Sequence, residues 1–183
     1  MEGKVVFEGL SKTGDKLLIR YPTKHDLAAL LAYINALSKE QTYVRYQGEE
    51  ITLEEESEYL NKQLEQIAKQ QSVQLLVFSE DRLIGNTSID LFDKTESHKG
   101  LLGISIAKGY RGKGIGKLLL QHILEEVKTL PKLSIATLAV YSVNNLAIEM
   151  YKKFGFIEYG RLPNGIQYKS NLVDEILMYK TIR

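Results

Sequence analysis

Gly103-Ile-Ser-Ile-Ala-Lys-Gly-Tyr-Arg-Gly-Lys-Gly-Ile-Gly-Lys-Leu-Leu119 is the stretch on which the fold turns. An apolar strand over residues 101–106 runs into glycines at alternate positions, Gly112, Gly114 and Gly116, and then into a helix reaching about Val127. Ile115, Leu118, Leu119, Ile123 and Val127 share one face of that helix. Glycine permits positive φ and lets a ligand touch the backbone. The helix start that follows presents unpartnered N–H groups and a partial positive charge. Together these make an anion site suited to a pyrophosphate, with Arg111, Lys113 and Lys117 positioned to add charge-assisted contacts.

Three glycine loops bind phosphates in this way, and two of them fail here. The P-loop requires Lys followed by Ser or Thr after its last glycine, whereas Gly116 is followed by Lys117 and Leu118, and its upstream glycine falls on Arg111. The dinucleotide fingerprint places a glycine at Lys117. The third pattern, Arg/Gln-x-x-Gly-x-Gly/Ala, is met in full by Arg111, Gly112, Lys113, Gly114, Ile115 and Gly116. Alone it is a short motif, equally met by glycines that only shape a tight strand-to-helix turn.

Outward from the loop, the chain reads as strands over residues 4–7 and 16–21, with a turn at Thr13-Gly14-Asp15. A helix capped by Thr23 carries Leu27, Leu30, Leu31 and Ile34. A second opens at Thr52, with Glu55 completing a capping box and Tyr59, Leu60, Leu64 and Ile67 as its apolar stripe. Strands over residues 73–79 and 83–92 form a hairpin, and residues 101–106 make another strand. After the glycine helix come a strand over 133–140, a helix over 144–154, and strands over 156–159 and 173–179. Pro22, Pro131 and Pro163 each fall at an expected element end. Three successive strands followed by strand–helix alternation imply an α/β (α+β) fold, a mixed sheet with helices on both faces.

Composition bounds the function. The 183 residues carry 24 basic and 23 acidic side chains, a net charge of +1, so no global field recruits nucleic acid or an acidic membrane. With no cysteine, thiolate metal sites and a cysteine nucleophile are excluded. His25, His98 and His122 are scattered without metal-ligand spacing, so no metal is expected. No apolar run of signal-peptide or membrane-spanning length is present, and the expectation is a cytoplasmic protein. The run Glu54-Glu55-Glu56 reads as a solvated helix start that suits the helix dipole.

A second signature lies downstream: Leu138-Ala-Val-Tyr-Ser-Val-Asn-Asn-Leu-Ala-Ile-Glu-Met-Tyr-Lys-Lys-Phe-Gly-Phe156. A strand ends in Asn144, followed by Ala147, Tyr151 and the pair Gly155-Phe156. With the glycine loop before it, this resembles the GNAT N-acetyltransferase superfamily, covering residue 84 to the C-terminus well and the N-terminal part in element order. The resemblance implies a single GNAT domain over residues 1–183 with a short strand extension at about 1–15. It implies a central sheet splayed between its fourth and fifth core strands, residues 101–106 and 133–140. Acetyl-CoA would be the co-substrate, lying in that gap, with main-chain groups of Ile104 and Ile106 pairing to its pantetheine arm. Residues Arg111 to Lys117 would hold the pyrophosphate and Asn144 would bond the pantetheine. Tyr151 would protonate the leaving thiolate, in direct transfer of acetyl to a primary amine on a small molecule, a protein N-terminus or a lysine. Family members are often dimeric, and nothing in this sequence marks an interface.

The chain departs from the family at one point. Several members carry a glutamate base at the place of Ala139. Asp90, His98 and Asp174 stand as alternatives, as does a water chain, since an α-amino group titrates near 8 and needs less help than a lysine near 10.4. The missing base leaves open a non-catalytic acyl-CoA-binding sensor or interaction module. Thr42-Tyr-Val-Arg-Tyr46 and residues 165–174, with Tyr168 and Asp174, are candidate acceptor walls or plain surface elements.

Overall fold

β3 (Ser72–Ser79) is buried at every position, which only the middle of a two-sided sheet provides. Side chains alternate across a strand. Val73, Leu75 and Val77 therefore enter one core, and Leu76 and Phe78 enter the other. The computed structural model describes residues 1–183. The larger core, of 25 buried residues, lies beneath α3 (Ile115–Glu126) and α4 (Asn145–Lys153). The smaller, of 7, lies beneath α1 (Leu27–Lys39) and α2 (Leu53–Ala68).

The remaining strands are β1 (Val5–Leu10), β2 (Lys16–Arg20), β4 (Arg82–Leu91), β5 (Lys99–Ile106), β6 (Ile135–Tyr141), β7 (Ile157–Tyr168) and β8 (Asn171–Thr181). They form one eight-stranded sheet in the order β1-β2-β3-β4-β5-β6-β8-β7. Every neighbouring pair is antiparallel except β5 with β6. That parallel pair holds for three positions, Lys99↔Ile135, Gly100↔Ala136 and Leu101↔Thr137, and then ends. β5 continues to Ile106 on β4 and β6 to Tyr141 on β8, so the sheet opens into a wedge there. The mixed α/β sheet stands as the element order implies, and its splay as the family resemblance implies.

Caps explain two of the helix starts. Thr52 accepts from Glu55 N–H at 3.2 Å while the Glu55 carboxylate accepts from Thr52 N–H at 2.8 Å, the reciprocal capping box that opens α2. Thr23 caps a short 3-10 turn, Lys24–Asp26, so α1 proper starts three residues later than the cap suggests. The C-terminal strands are longer than their apolar patterns. β7 and β8 run as one long hairpin, and Pro163 lies within β7 rather than at an element end. Pairing shifts between Leu162 and Ile166, and β7 is an edge strand, so the missing proline N–H costs no ladder bond. No helix is long and apolar enough to cross a membrane.

Because Leu75 is fully buried in the tightly packed middle of the sheet, Leu75→Ala is expected to lower stability by about 2–5 kcal/mol. Leu172→Ala, at a 62% exposed position, is expected to stay within about 0.5 kcal/mol. Urea unfolding of both variants checks this contrast.

Candidate active site

The wedge offers an unpaired strand edge, and register says which groups point into it. In an antiparallel pair alternate residues turn their N–H and C=O to the partner. Ala107 N–H donates to Ile84 O of the β4 side at 2.9 Å. By two-residue alternation, Ile104 and Ile106 turn theirs away from β4, into the gap. Ile106 O already accepts from Arg111 Nε at 2.7 Å. An extended amide chain laid along this edge finds main-chain partners as an added strand would.

At one end of the wedge stands the glycine turn. Gly112 and Gly114 have φ of 77° and 82°, a region that costs other L-residues energy. Gly116 lies inside α3 without positive φ, and a Cβ there would meet only Met150 Sδ at 3.7 Å and Ile106 Cγ1 at 3.9 Å, so the fold itself does not demand glycine. Gly114 is the N-cap and no side chain caps the helix. The first intrahelical bond is Leu118 N–H to Gly114 O at 3.1 Å, which leaves Ile115, Gly116 and Lys117 N–H free for an anion. Around the turn, Lys113 Nζ pairs with Asp15 Oδ1 at 3.0 Å, and Arg111 pairs with Glu40 Oε2 at 2.5 Å. Thr13, Ser11 and Lys113 hold the Asp15 carboxyl well below the usual carboxylate range. Lys117 is exposed and makes no ion pair.

Deeper in, a cavity of about 660 Å³ fills the splay. Asn144, the N-cap of α4, and Tyr151 within that helix line it, with Ile104 and Ser105 from β5 and Ala139 from β6. Asn144 Oδ1 caps α4 by accepting from Ala147 N–H at 3.3 Å, and its Nδ2 stays unpartnered. Tyr151 is 6% exposed, packs edge-on against Phe156 at 5.7 Å between ring centroids, and its hydroxyl has no protein partner. Burial pushes the Tyr151 phenol well above its ordinary value.

The far side of the cavity is walled by Tyr43, Val44, Arg45 and Gln47 and by Gly165, Ile166 and Gln167. Tyr43, Tyr141 and Tyr168 tie these segments together, with ring centroids 5.0 to 5.6 Å apart. Tyr141 also donates to Val44 O at 3.1 Å. Both segments named from sequence, the 42–46 loop and the tip of the β7–β8 hairpin, therefore meet at the splay.

The three alternatives for a base do not line it. Asp90 accepts from Gln63, Ser72 and Ser88 at 2.6 to 3.0 Å. His98 is exposed at the closed end of the β5–β6 pair, and Asp174 is engaged by Arg161 and Asn164 N–H. The one carboxylate among the lining residues is Glu175, opposite Tyr141 on β8. Sequence reasoning also missed Lys12, carried by the β1–β2 turn to within 3.2 Å of where a Gly114 Cβ would stand. A lysine and a tight turn near the N-terminus were its only signal.

A family model described as "Acetyltransferase (GNAT) family" matches residues 32–156. The chain belongs to the GNAT acetyltransferase family. Among curated proteins, this GNAT chain is 31% identical over 91 residues to one named probable spermine N(1)-acetyltransferase, from Bacillus subtilis subsp. natto (strain BEST195). That match covers 47% of this chain and 60% of the relative's length. Its structure is similar to the acetyltransferase of GNAT family from Streptococcus pneumoniae, with a TM-score of 0.83 and 32% identity, over 91% of this chain and 99% of that one. It is also similar to a ribosomal-protein-alanine N-acetyltransferase from Brucella melitensis, with a TM-score of 0.79 and 26% identity, over 90% and 99% of the two chains.

Gly114→Val places a branched side chain at a φ of 82° beside the free N–H groups. Calorimetric titration is expected to give at least tenfold weaker acetyl-CoA binding by this variant, with folding verified by circular dichroism. Unchanged affinity would remove the turn from the site.

Proposed function

We propose that this GNAT-family protein moves the acetyl group of acetyl-CoA onto a primary amine, as one domain over residues 1–183 with a short strand extension at about 1–15. The observation that carries this reading is the wedge between β5 and β6, with a free helix N-terminus at one end and Tyr151 beside the cavity at the other. The expected site residues fit an extended pantetheine and its pyrophosphate. Main-chain groups of Ile104 and Ile106 form the strand edge. Arg111, Gly112, Lys113, Gly114, Ile115, Gly116 and Lys117 form the anion turn, with Lys12 beside it. Asn144 Nδ2 is free to donate to the pantetheine amides.

The chemistry asks little of the protein beyond placement and proton handling. A neutral amine attacks the acetyl carbonyl, a C–N bond forms and the C–S bond breaks. Main-chain N–H groups of the β5 edge stabilise the charge that gathers on the carbonyl oxygen. The departing sulfur takes a hydrogen bond, then a proton, from the Tyr151 hydroxyl. Burial keeps that phenol protonated across the working pH range, the form that can donate. The proton lost by nitrogen passes to Glu175 or water. The relatives' names span a polyamine and a protein terminus, so the acceptor class is a small-molecule or protein amine, and acetyl-CoA as co-substrate favours a cytoplasmic location.

One observation favours a non-catalytic acyl-CoA sensor: Ala139 faces the cavity where a carboxylate base would stand. The readings separate in a thiol-release assay with acetyl-CoA and a panel of amines. Wild-type protein is expected to release thiol, and Tyr151→Phe to lower kcat by ~10²-fold with acetyl-CoA affinity changed less than threefold. Tight acetyl-CoA binding without thiol release from any amine would establish the sensor instead.

A further inference from the structure

A second chamber, of about 410 Å³, opens beside the splay between α1, α2 and the sheet. Asn86 and Ser105 line both cavities, so the two share a wall at β4 and β5. Four carboxylates line it, Glu49, Glu50, Glu55 and Glu56, with no Lys, Arg or His among the lining residues. None of the four is in an ion pair. In a protein of net charge +1 this is a local concentration of negative charge.

The four are not equivalent. Glu55 is occupied by the Thr52 cap, and Glu49 accepts from Gln47 N–H. Glu56 is only 6% exposed, lines the chamber and has no side-chain hydrogen-bond partner. The glutamate run is therefore not a uniformly solvated helix start. Its carboxylate is not fully enclosed and has no protein partner, and the cost of holding a charge in so largely buried a place is offset by an incoming cation. Burial alone raises the Glu56 carboxyl above its ordinary value, with no neighbouring cation to oppose it. Tyr33, Tyr46 and Tyr59 complete the wall, and aromatic side chains suit an ammonium group.

We infer that this chamber binds the distal ammonium group of a diamine or polyamine acceptor, anchored on Glu56, while the acceptor's other amine reaches the splay past Asn86 and Ser105. The inference rests on the acetyl-transfer reading and narrows its acceptor. The distal nitrogen stays protonated and does not react, whereas the near nitrogen loses a proton and gains the acetyl group. The volume lies in the small-ligand range of roughly 300–1,000 Å³, which favours a small flexible polycation over a protein chain.

Calorimetry with spermidine and kinetics with spermidine, hexylamine and an alanine-initiated peptide test this. Wild-type protein is expected to bind spermidine, and its kcat/KM for spermidine to exceed that for hexylamine at least 30-fold. Glu56→Gln is expected to weaken spermidine binding and raise its KM at least tenfold. Its melting temperature should hold or rise, because a buried unpaired charge is removed. Glu54→Gln, exposed on the same helix and outside the chamber, should leave spermidine KM unchanged. No spermidine binding by wild-type protein, equal use of hexylamine, preference for the peptide, or an unmoved spermidine KM in Glu56→Gln would each overturn the inference. Absence of thiol release with every amine would defeat the acetyl-transfer reading alone, and spermidine calorimetry on wild type and Glu56→Gln would still decide the chamber.

Discussion

The early end of one parallel strand pair governs the rest of the molecule. β5 and β6 hold together through Leu101 and Thr137 and then part, each kept straight by its other neighbour. A sheet interior cannot leave main-chain N–H and C=O groups without partners or water. Ile104 and Ile106 therefore present a strand edge in the middle of a sheet. The fold surrounds that edge: α3 begins at one end of the gap, α4 flanks it, and the tyrosine trio bridges its mouth.

Charge is then distributed along the wedge. Uncapped N–H groups and lysines stand at the α3 start, where we propose that the pyrophosphate of the co-substrate binds. The carboxylates gather in the chamber on the α1–α2 side, where nothing basic lines the wall. A near-zero net charge conceals this separation, so whole-chain composition is a poor guide to the local charge of the two cavities. Burial differences do comparable work within one helix start: Glu54 is exposed, Glu55 caps and Glu56 is enclosed.

What was legible in the sequence was local. Glycines at 112 and 114 announced a backbone that only glycine adopts without cost, and Thr52 with Glu55 announced a cap, because both depend on neighbours a few residues away. The splay followed from a family resemblance, not from periodicity. What escaped was set by register and by long-range approach. Glu175 and Asp174 are adjacent, and a one-residue difference decides which lines the cavity. Lys12 reaches the glycine turn only because β1 and β2 fold back as a hairpin, and Glu56 is buried only because α2 packs on the sheet. The extent of β7 was hidden because its outer half is polar and carries Pro163.

Amide hydrogen exchange, followed residue by residue with and without coenzyme A, tests most directly whether the wedge is the binding slot. Marked slowing is expected at Ile104, Ile106, Ile115, Gly116 and Lys117, with β1 and β7 unaffected. Binding of coenzyme A with these five amides unchanged would contradict it.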